Sequence, residues 1–173
     1  MAGRRQKPHA RKIRVRKKRG LLPWALGGAV AAAFVLIIAA AVRQPLAARV
    51  GDHWHARLTI ELCGRTLPPL PPGPGDVHTH GDGLIHIHPQ TPRTAGRNAS
   101  LETFFRTTPV HITPASISVG GERYQNGDRC PDGRAGTLRV QARRAGEREF
   151  QELPHFLGYL PRDGDEIRVV FGP

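Results

Sequence analysis

The chain has 173 residues and a formal net charge of +12 at pH 7, with 26 Lys and Arg against 14 Asp and Glu. The excess lies in residues 1–20, which hold ten basic residues and no acid, whereas residues 43–173 hold sixteen arginines against fourteen acids. A nearly neutral remainder without a basic stripe interleaved with aromatics excludes a general nucleic-acid-binding domain, so no nucleic-acid partner is expected.

Residues 21–42 (LLPWALGGAVAAAFVLIIAAAV) contain no charged side chain. A helix of that length crosses a hydrocarbon core of about 30 Å at about 1.5 Å per residue. The apolar core of a cleaved signal peptide is shorter, about 7–15 residues, so an uncleaved single-pass anchor is favoured. Cleavage after the small residues at 39–41 remains the alternative.

The charge distribution predicts the orientation of this anchor. Under the positive-inside rule the basic tail, residues 1–20, faces the cytoplasm, where it lies on anionic lipids of the inner leaflet. The expected location is therefore the cell membrane, with the C-terminal part extracytoplasmic. The predicted organisation is a cytoplasmic tail (1–20), a transmembrane helix (21–42), a spacer (43–51) and a histidine-rich domain (52–173).

The outer part alternates apolar and polar residues. Trp54 to Leu62 alternates over nine residues, as a half-buried strand does, and the proline-rich residues 68–75 form a surface loop. Asn98 or Ser100 caps a short helix through Leu101, Phe104 and Phe105. Further strands are predicted at 84–88, 116–119, 122–124, 137–142 and 166–171. The fold class expected is α+β, a small mixed sheet with one short helix after a single transmembrane helix.

Six of the nine histidines form three His-x-His pairs, at His53 and His55, His78 and His80, and His86 and His88. In a strand, side chains at i and i+2 point to one face, about 7 Å apart. Neutral imidazole is the commonest metal ligand in proteins. Because Gly81-Asp82-Gly83 predicts a tight turn between two pairs, we expect His78, His80, His86 and His88 as the first ligand candidates and His53 and His55 as the second set.

The donor set suits a divalent transition metal, with Zn(II) or Cu(II) as the expected cofactor. Soft Cu(I) is disfavoured, because Met1 is the only methionine. Asp52, Asp76 and Asp82 flank the pairs, and we expect them to orient imidazoles through hydrogen bonds rather than to bind the ion.

Cys63 and Cys130 are the only cysteines. Outside the cytoplasm they are expected to form a disulfide. The alternative is a reactive or metal-binding thiolate, which is disfavoured because neither cysteine lies in a Cys-x-x-Cys motif or beside a histidine.

Three functions follow from these patterns. The leading one is a membrane-anchored extracytoplasmic domain that binds Zn or Cu through its histidine pairs. The second is a non-catalytic envelope interaction or structural domain in which the histidines form hydrogen bonds with one another. The third is a small metal-dependent hydrolase, disfavoured because the barrels that open with His-x-His need about 250 residues.

Two segments carry a resemblance to known proteins, Asp52-His53-Trp54-His55-Ala56 and His78 to Pro89 (HTHGDGLIHIHP). Together they resemble a group of uncharacterised bacterial membrane-anchored proteins, a resemblance that implies no activity. The order of elements and the closing strand are also similar to β-grasp (ubiquitin-like) domains. Phe171-Gly172-Pro173 replaces the Gly-Gly tail of the sulfur-carrier members, so sulfur-carrier chemistry is not expected.

Overall fold

The structure, a computed structural model, describes residues 46–173, and these belong to one compact unit, residues 44–173. The predicted tail (1–20) and the predicted transmembrane segment (21–42) lie outside the described residues. Between residues 46 and 173, no helix is both long enough and apolar enough to cross a membrane.

Two sheets form most of the regular secondary structure of the described residues. The larger has seven strands, of which six follow the order β3-β4-β1-β10-β8-β9 and β2 pairs with β1. These strands are β1 (Trp54–Leu62), β2 (Arg65–Thr66), β3 (Val77–His78), β4 (Leu84–Ile87), β8 (Thr137–Arg143), β9 (Gln151–Glu152) and β10 (Glu166–Gly172). The smaller sheet has the order β5-β6-β7, formed by β5 (His111–Thr113), β6 (Ser116–Val119) and β7 (Glu122–Gln125).

The fold class expected from the sequence, α+β with an anchor helix, is wrong. The described residues are mostly sheet, with a single α-helix of six residues, α1 (Leu101–Arg106), and two short 3-10 turns, Gly96–Asn98 and Phe156–Gly158. The physical reason lies in the spacing of apolar residues, which follows the period of two over most strands and the helical period only around α1.

The centre of the larger sheet is a parallel pair, β1 beside β10, flanked by antiparallel neighbours. Its apolar rows continue from strand to strand: Leu62 is paired with Phe171, and Phe171 in turn with Leu138. All three side chains are buried. The alternation predicted for β1 is confirmed, because Ala56, Ile60 and Leu62 are in the core. The polar residues of β1 therefore project from the opposite face.

The short helix α1 closes part of this core. Ser100 is its N-cap, with a side-chain oxygen that accepts a hydrogen bond from the Thr103 N–H at 3.3 Å. Leu101, Phe104 and Phe105 are buried in the same cluster as the sheet's apolar face. Of the two caps considered from the sequence, Ser100 is thus the one observed.

The predicted disulfide is confirmed. Cys63 lies in the two-residue turn between β1 and β2, where Cys63 and Gly64 have φ of 51° and 79°. Two consecutive positive φ values are typical of the tight hairpin turns that match strand twist. Cys63 is bonded to Cys130, 67 residues further along, and so joins this turn to the loop after β7.

The predicted spacer partly packs against the domain. Ala48 is only 2 % exposed, and its carbonyl accepts a hydrogen bond from the Gly96 N–H at 2.8 Å. Gly51 N–H donates to the carbonyl of Pro89 at 2.9 Å. The residues just before the first histidine pair are therefore tied to the loop that follows the last pair.

Candidate metal centre

Strand register brings histidines from three strands into one row. His55 on β1 is paired with His86 on β4, and His86 is paired on its other side with His78 on β3. Side chains of directly paired residues project from the same face, roughly 5 Å apart at Cβ. Ile85 and Ile87, the neighbours of His86, are buried in the core instead. The row therefore lies on the face of the sheet opposite the core.

The remaining histidines extend this row along the strands. His53 precedes His55 by two residues and His88 follows His86 by two, and the rings of His53 and His88 meet with centroids 3.8 Å apart. His80 lies against His86, with centroids 4.4 Å apart at 83°. All six histidines of the three pairs thus form one continuous cluster, which is here called the histidine face.

Four members of the histidine face form a group able to hold one ion. Each offers one ring nitrogen, and these four nitrogens lie within 4.8 Å of one another. The group consists of His53, His55, His86 and His88. The group combines His53 and His55, which the sequence suggested as the second set, with His86 and His88 from the first set. Strand pairing explains this combination, because β4 is paired with β1 over Trp54–Arg57 but with β3 over two residues only.

The distance within the first pair approaches the spacing of metal ligands. Nε2 of His53 and Nε2 of His55 are 3.1 Å apart. At the usual Zn–N bond length of about 2.0–2.1 Å, two ligands of a tetrahedral site are about 3.3 Å apart. An ion therefore fits between these two nitrogens after a small displacement of the rings.

Asp82 fixes the orientation of His86. Its Oδ2 lies 2.8 Å from His86 Nε2, and its Oδ1 accepts the Leu84 N–H at 3.1 Å. Burial raises the pKa of Asp82, but the hydrogen bonds from His86 and Leu84 outweigh burial and lower this pKa overall. An ionised carboxylate only accepts hydrogen bonds, so His86 donates from Nε2. In the neutral ring this leaves the lone pair on Nδ1.

Several ring nitrogens on the histidine face are buried without a partner. Within residues 46–173, His86 Nδ1, His88 Nε2 and His78 Nδ1 make no hydrogen bond. A buried polar atom without a partner costs roughly 1–3 kcal/mol, and native proteins contain few of them. Each of these three ring nitrogens carries a lone pair or an N–H group, and no described protein atom accepts from it or donates to it.

Burial and mutual repulsion disfavour the charged imidazoles. Burial lowers the pKa of His55, and the neighbouring His86 and His53 lower it further. The pKa of His78 is lowered by burial and by His80 and His86. That of His88 is lowered by burial and by His53 and His78. Neutral imidazole is the form that binds metal, so each of these changes favours a ligand role near neutral pH.

The other two predicted carboxylates lie at the edge of the cluster. Asp76 accepts hydrogen bonds from the Thr94 hydroxyl at 2.5 Å and from the Gln90 N–H at 2.8 Å, and these two bonds lower its pKa. Asp52 Oδ2 accepts the Arg49 N–H at 2.7 Å within a turn. Neither carboxylate has a hydrogen bond to an imidazole among the described residues, unlike Asp82.

Sequence reasoning missed a residue that positions His55. Asp163 Oδ1 accepts the His55 N–H at 2.9 Å, and the Gly164 N–H donates to the His55 carbonyl at 2.8 Å. The loop before β10 thereby fixes the backbone of the first histidine pair from 108 residues away. Only the parallel pairing of β1 with β10, which joins distant parts of the chain, brings this loop to His55.

Comparison of the chain with protein-family models, curated proteins and solved structures gives no match. The geometry of the histidine face is therefore the basis on which a function is proposed.

Proposed function

We propose that this protein binds a divalent transition-metal ion, Zn(II) or Cu(II), through His53, His55, His86 and His88. The observation that carries the proposal is the approach of four ring nitrogens, from two paired strands, to within 4.8 Å of one another. Four imidazoles around one ion form a closed site, which is typical of a binding or structural role.

The chemistry of the ligands supports a metal of intermediate softness. Imidazole suits Zn, Cu, Ni and Fe, whereas Mg and Ca require oxygen ligands. The two cysteines are joined in a disulfide, so no thiolate is offered by the described residues. Zn(II) and Cu(II) are the preferred candidates, because both accept all-nitrogen coordination and hold imidazole strongly.

A purely hydrogen-bonded histidine cluster is the competing interpretation. It is supported by the 3.1 Å contact between His53 and His55 and by the Asp82–His86 hydrogen bond. It does not account for His86 Nδ1 and His88 Nε2, which are buried without partners. A metal ion supplies a partner for both atoms, and for that reason the metal-binding function is favoured.

The location is part of the proposal. The disulfide between Cys63 and Cys130 is of the kind that persists in oxidising compartments. We therefore place the histidine face outside the cytoplasm, where it would take up metal from that compartment.

The test is a metal-retention measurement on the full-length chain without a His-tag. The protein is stripped with chelator, loaded with Zn(II), Cu(II) or Ni(II), dialysed and analysed for metal. A variant with His53→Gln, His55→Gln, His86→Gln and His88→Gln is compared with the control His111→Gln/His155→Gln, which changes two exposed histidines outside the cluster.

We expect the parent and the control to retain the same amount of Zn(II) or Cu(II), and the four-site variant to lose at least one equivalent. Circular dichroism and a thiol assay verify that the variant is folded and oxidised. A parent that retains no metal, or a folded four-site variant that retains as much as the parent, would refute the proposal.

A further inference from the structure

The pair formed by His78 and His80 is not used by the four-histidine centre, although it has the same geometry as the first pair. Its two Nε2 atoms are 3.1 Å apart, the same distance as between His53 and His55. The ring centroids are 4.6 Å apart in this pair and 4.7 Å in the other. The spacing that fits one ion between the first two imidazoles therefore occurs a second time on the histidine face.

The two pairs lie on opposite sides of His86. His86 is paired with His55 on β1 and with His78 on β3. Strands β1 and β3 are separated by β4, so their backbones are about 9–10 Å apart at the usual strand spacing. The group of four nitrogens uses histidines next to and on β1 and β4 but includes neither His78 nor His80, so the second pair is available to another ion.

Asp82 is a carboxylate close in sequence to the second pair. It follows His80 by two residues, in the turn between β3 and β4. Its carboxylate accepts two hydrogen bonds, from His86 Nε2 and the Leu84 N–H. A carboxylate has about four lone-pair positions, so two remain for an ion.

We propose that the histidine face binds two metal ions, the second held by His78, His80 and Asp82. This inference rests on the proposed function and extends it. The first ion has four imidazole ligands and a closed shell. The second has three protein ligands and one position open to water or to a ligand, because the side chain of Asp82 is 41 % exposed and His80 is exposed. Three protein ligands with an open position are typical of zinc sites that bind an exchangeable molecule.

Asp82 would link the two positions. Its hydrogen bond to His86 connects the second ion, through the carboxylate, to a ligand of the first. The negative charge of the carboxylate would also offset part of the electrostatic repulsion between the two dications. The pair His78 and His80 thereby acquires a role that the four-histidine group leaves unassigned.

The experiment is a Zn(II) titration of the metal-free full-length chain, with bound metal counted after dialysis. We expect about two equivalents in the parent and one equivalent in each of two variants, His78→Gln/His80→Gln and His53→Gln/His55→Gln. The control His111→Gln/His155→Gln is expected to retain two.

The outcomes separate this inference from the proposed function. One equivalent in the parent, lost only with His53 and His55, overturns the second ion and leaves the four-histidine centre intact. One equivalent that both variants lose overturns it as well, because it indicates a single ion shared across the face. No bound metal in the parent refutes both.

A second measurement needs no variant. When the parent is loaded with two equivalents of Cu(II), electron paramagnetic resonance is expected to show dipolar broadening, since the two proposed ions would lie within about 10 Å of each other across the neighbouring strands β3, β4 and β1. The spectrum at one equivalent serves as the reference. Two equivalents that give only the spectrum of isolated Cu(II) would contradict adjacent sites.

Discussion

His55 and His86 face each other from paired antiparallel strands, with ring centroids 4.6 Å apart and ring planes at 85°. His55 is on β1, which lies beside β10 at the centre of the sheet, and His86 is on β4, the next strand outward. A metal bound by both would join β4 to the centre of the sheet. Metal binding and the stability of this half of the sheet should therefore be coupled.

The first prediction concerns Asp82 as an orienting group. Asp82→Asn is expected to lower the affinity of the four-histidine centre for Zn(II) by roughly 10–100-fold, because the charged acceptor that fixes His86 is lost. The variant is made in the His78→Gln/His80→Gln background, so that only this centre is measured. Competition titration with a chromophoric chelator gives the affinity.

The matched control is Asp132→Asn in the same background. Asp132 forms its ion pair with Arg134 in a surface loop, outside the histidine face. An equal loss of affinity in both variants, or no loss for Asp82→Asn, would show that Asp82 does not orient a ligand.

The second prediction concerns the pH dependence of stability without metal. The pKa values of His55, His78 and His88 are lowered from 6.5 in the folded chain, mainly by burial. The unfolded state then binds more protons, so the free energy of unfolding falls as the pH drops from 6.5 towards the lowered values. Urea unfolding of the full-length chain in EDTA at pH 7.5 and pH 5 measures this change.

The carboxylates do not contribute in that range. Asp76 and Asp82 have their pKa lowered from 3.8, so their stabilisation is present above this value and is lost only at more acidic pH. The variant His55→Gln/His78→Gln/His88→Gln is expected to show a flatter profile than the parent. Unchanged or greater stability of the parent at pH 5 would contradict the assignment.

The third prediction concerns the disulfide. Closing a loop of 67 residues between Cys63 and Cys130 stabilises the fold by about 4 kcal/mol in the chain-entropy model. Cys63→Ser/Cys130→Ser is therefore expected to lower the free energy of unfolding by up to that amount, as measured by denaturant unfolding. Since Cys63 lies just beyond the end of β1 opposite to His53, the folded variant should retain the parent's metal stoichiometry. Loss of metal from a folded variant would contradict this prediction, because it would show that metal binding depends on the disulfide.

The fourth prediction concerns Asp165, which is 1 % exposed. Its Oδ2 accepts hydrogen bonds from Tyr159, Arg144 and the Arg162 N–H at 2.8, 3.0 and 2.9 Å. Burial and the adjacent Asp165 carboxylate raise the pKa of Tyr159, so its hydroxyl keeps the proton that it donates.

Asp165→Asn is expected to destabilise the fold by about 3 kcal/mol, because it removes the buried charge that pairs with the Arg144 guanidinium and accepts the hydrogen bond of the partly buried Tyr159 hydroxyl. Thermal and urea unfolding measure the loss, with Asp132→Asn as the exposed control. A loss equal to that of the control would indicate that the network does not contribute to stability.

Local patterns were sufficient for much of the fold. The alternation from Trp54 to Leu62 predicted β1 and its buried face, and the two cysteines predicted their disulfide. The turn residues Gly81 and Gly83 have φ of 84° and 79°, as expected from their place between two histidine pairs. The strand and the turn depend on residues that are neighbours in sequence. The disulfide could be predicted because the chain has only two cysteines.

Features that depend on distant pairing could not be predicted in the same way. The sequence placed His78 and His80 with His86 and His88 across the turn, because proximity along the chain was the available guide. The four-histidine group instead includes His53 and His55, whose approach to β4 is set by sheet register. The fold class was wrong for a different reason: the prediction gave weight to one short helix near residue 101, although the apolar residues of most other segments have the period of two that strands have.

We expect one metal ion to be bound between His53, His55, His86 and His88. The most direct measurement is anomalous diffraction at the zinc edge from crystals of the full-length chain soaked in Zn(II). We expect an anomalous peak within about 2.0–2.1 Å of one nitrogen from each of these four rings. A zinc-soaked crystal with no peak among these four rings would contradict it.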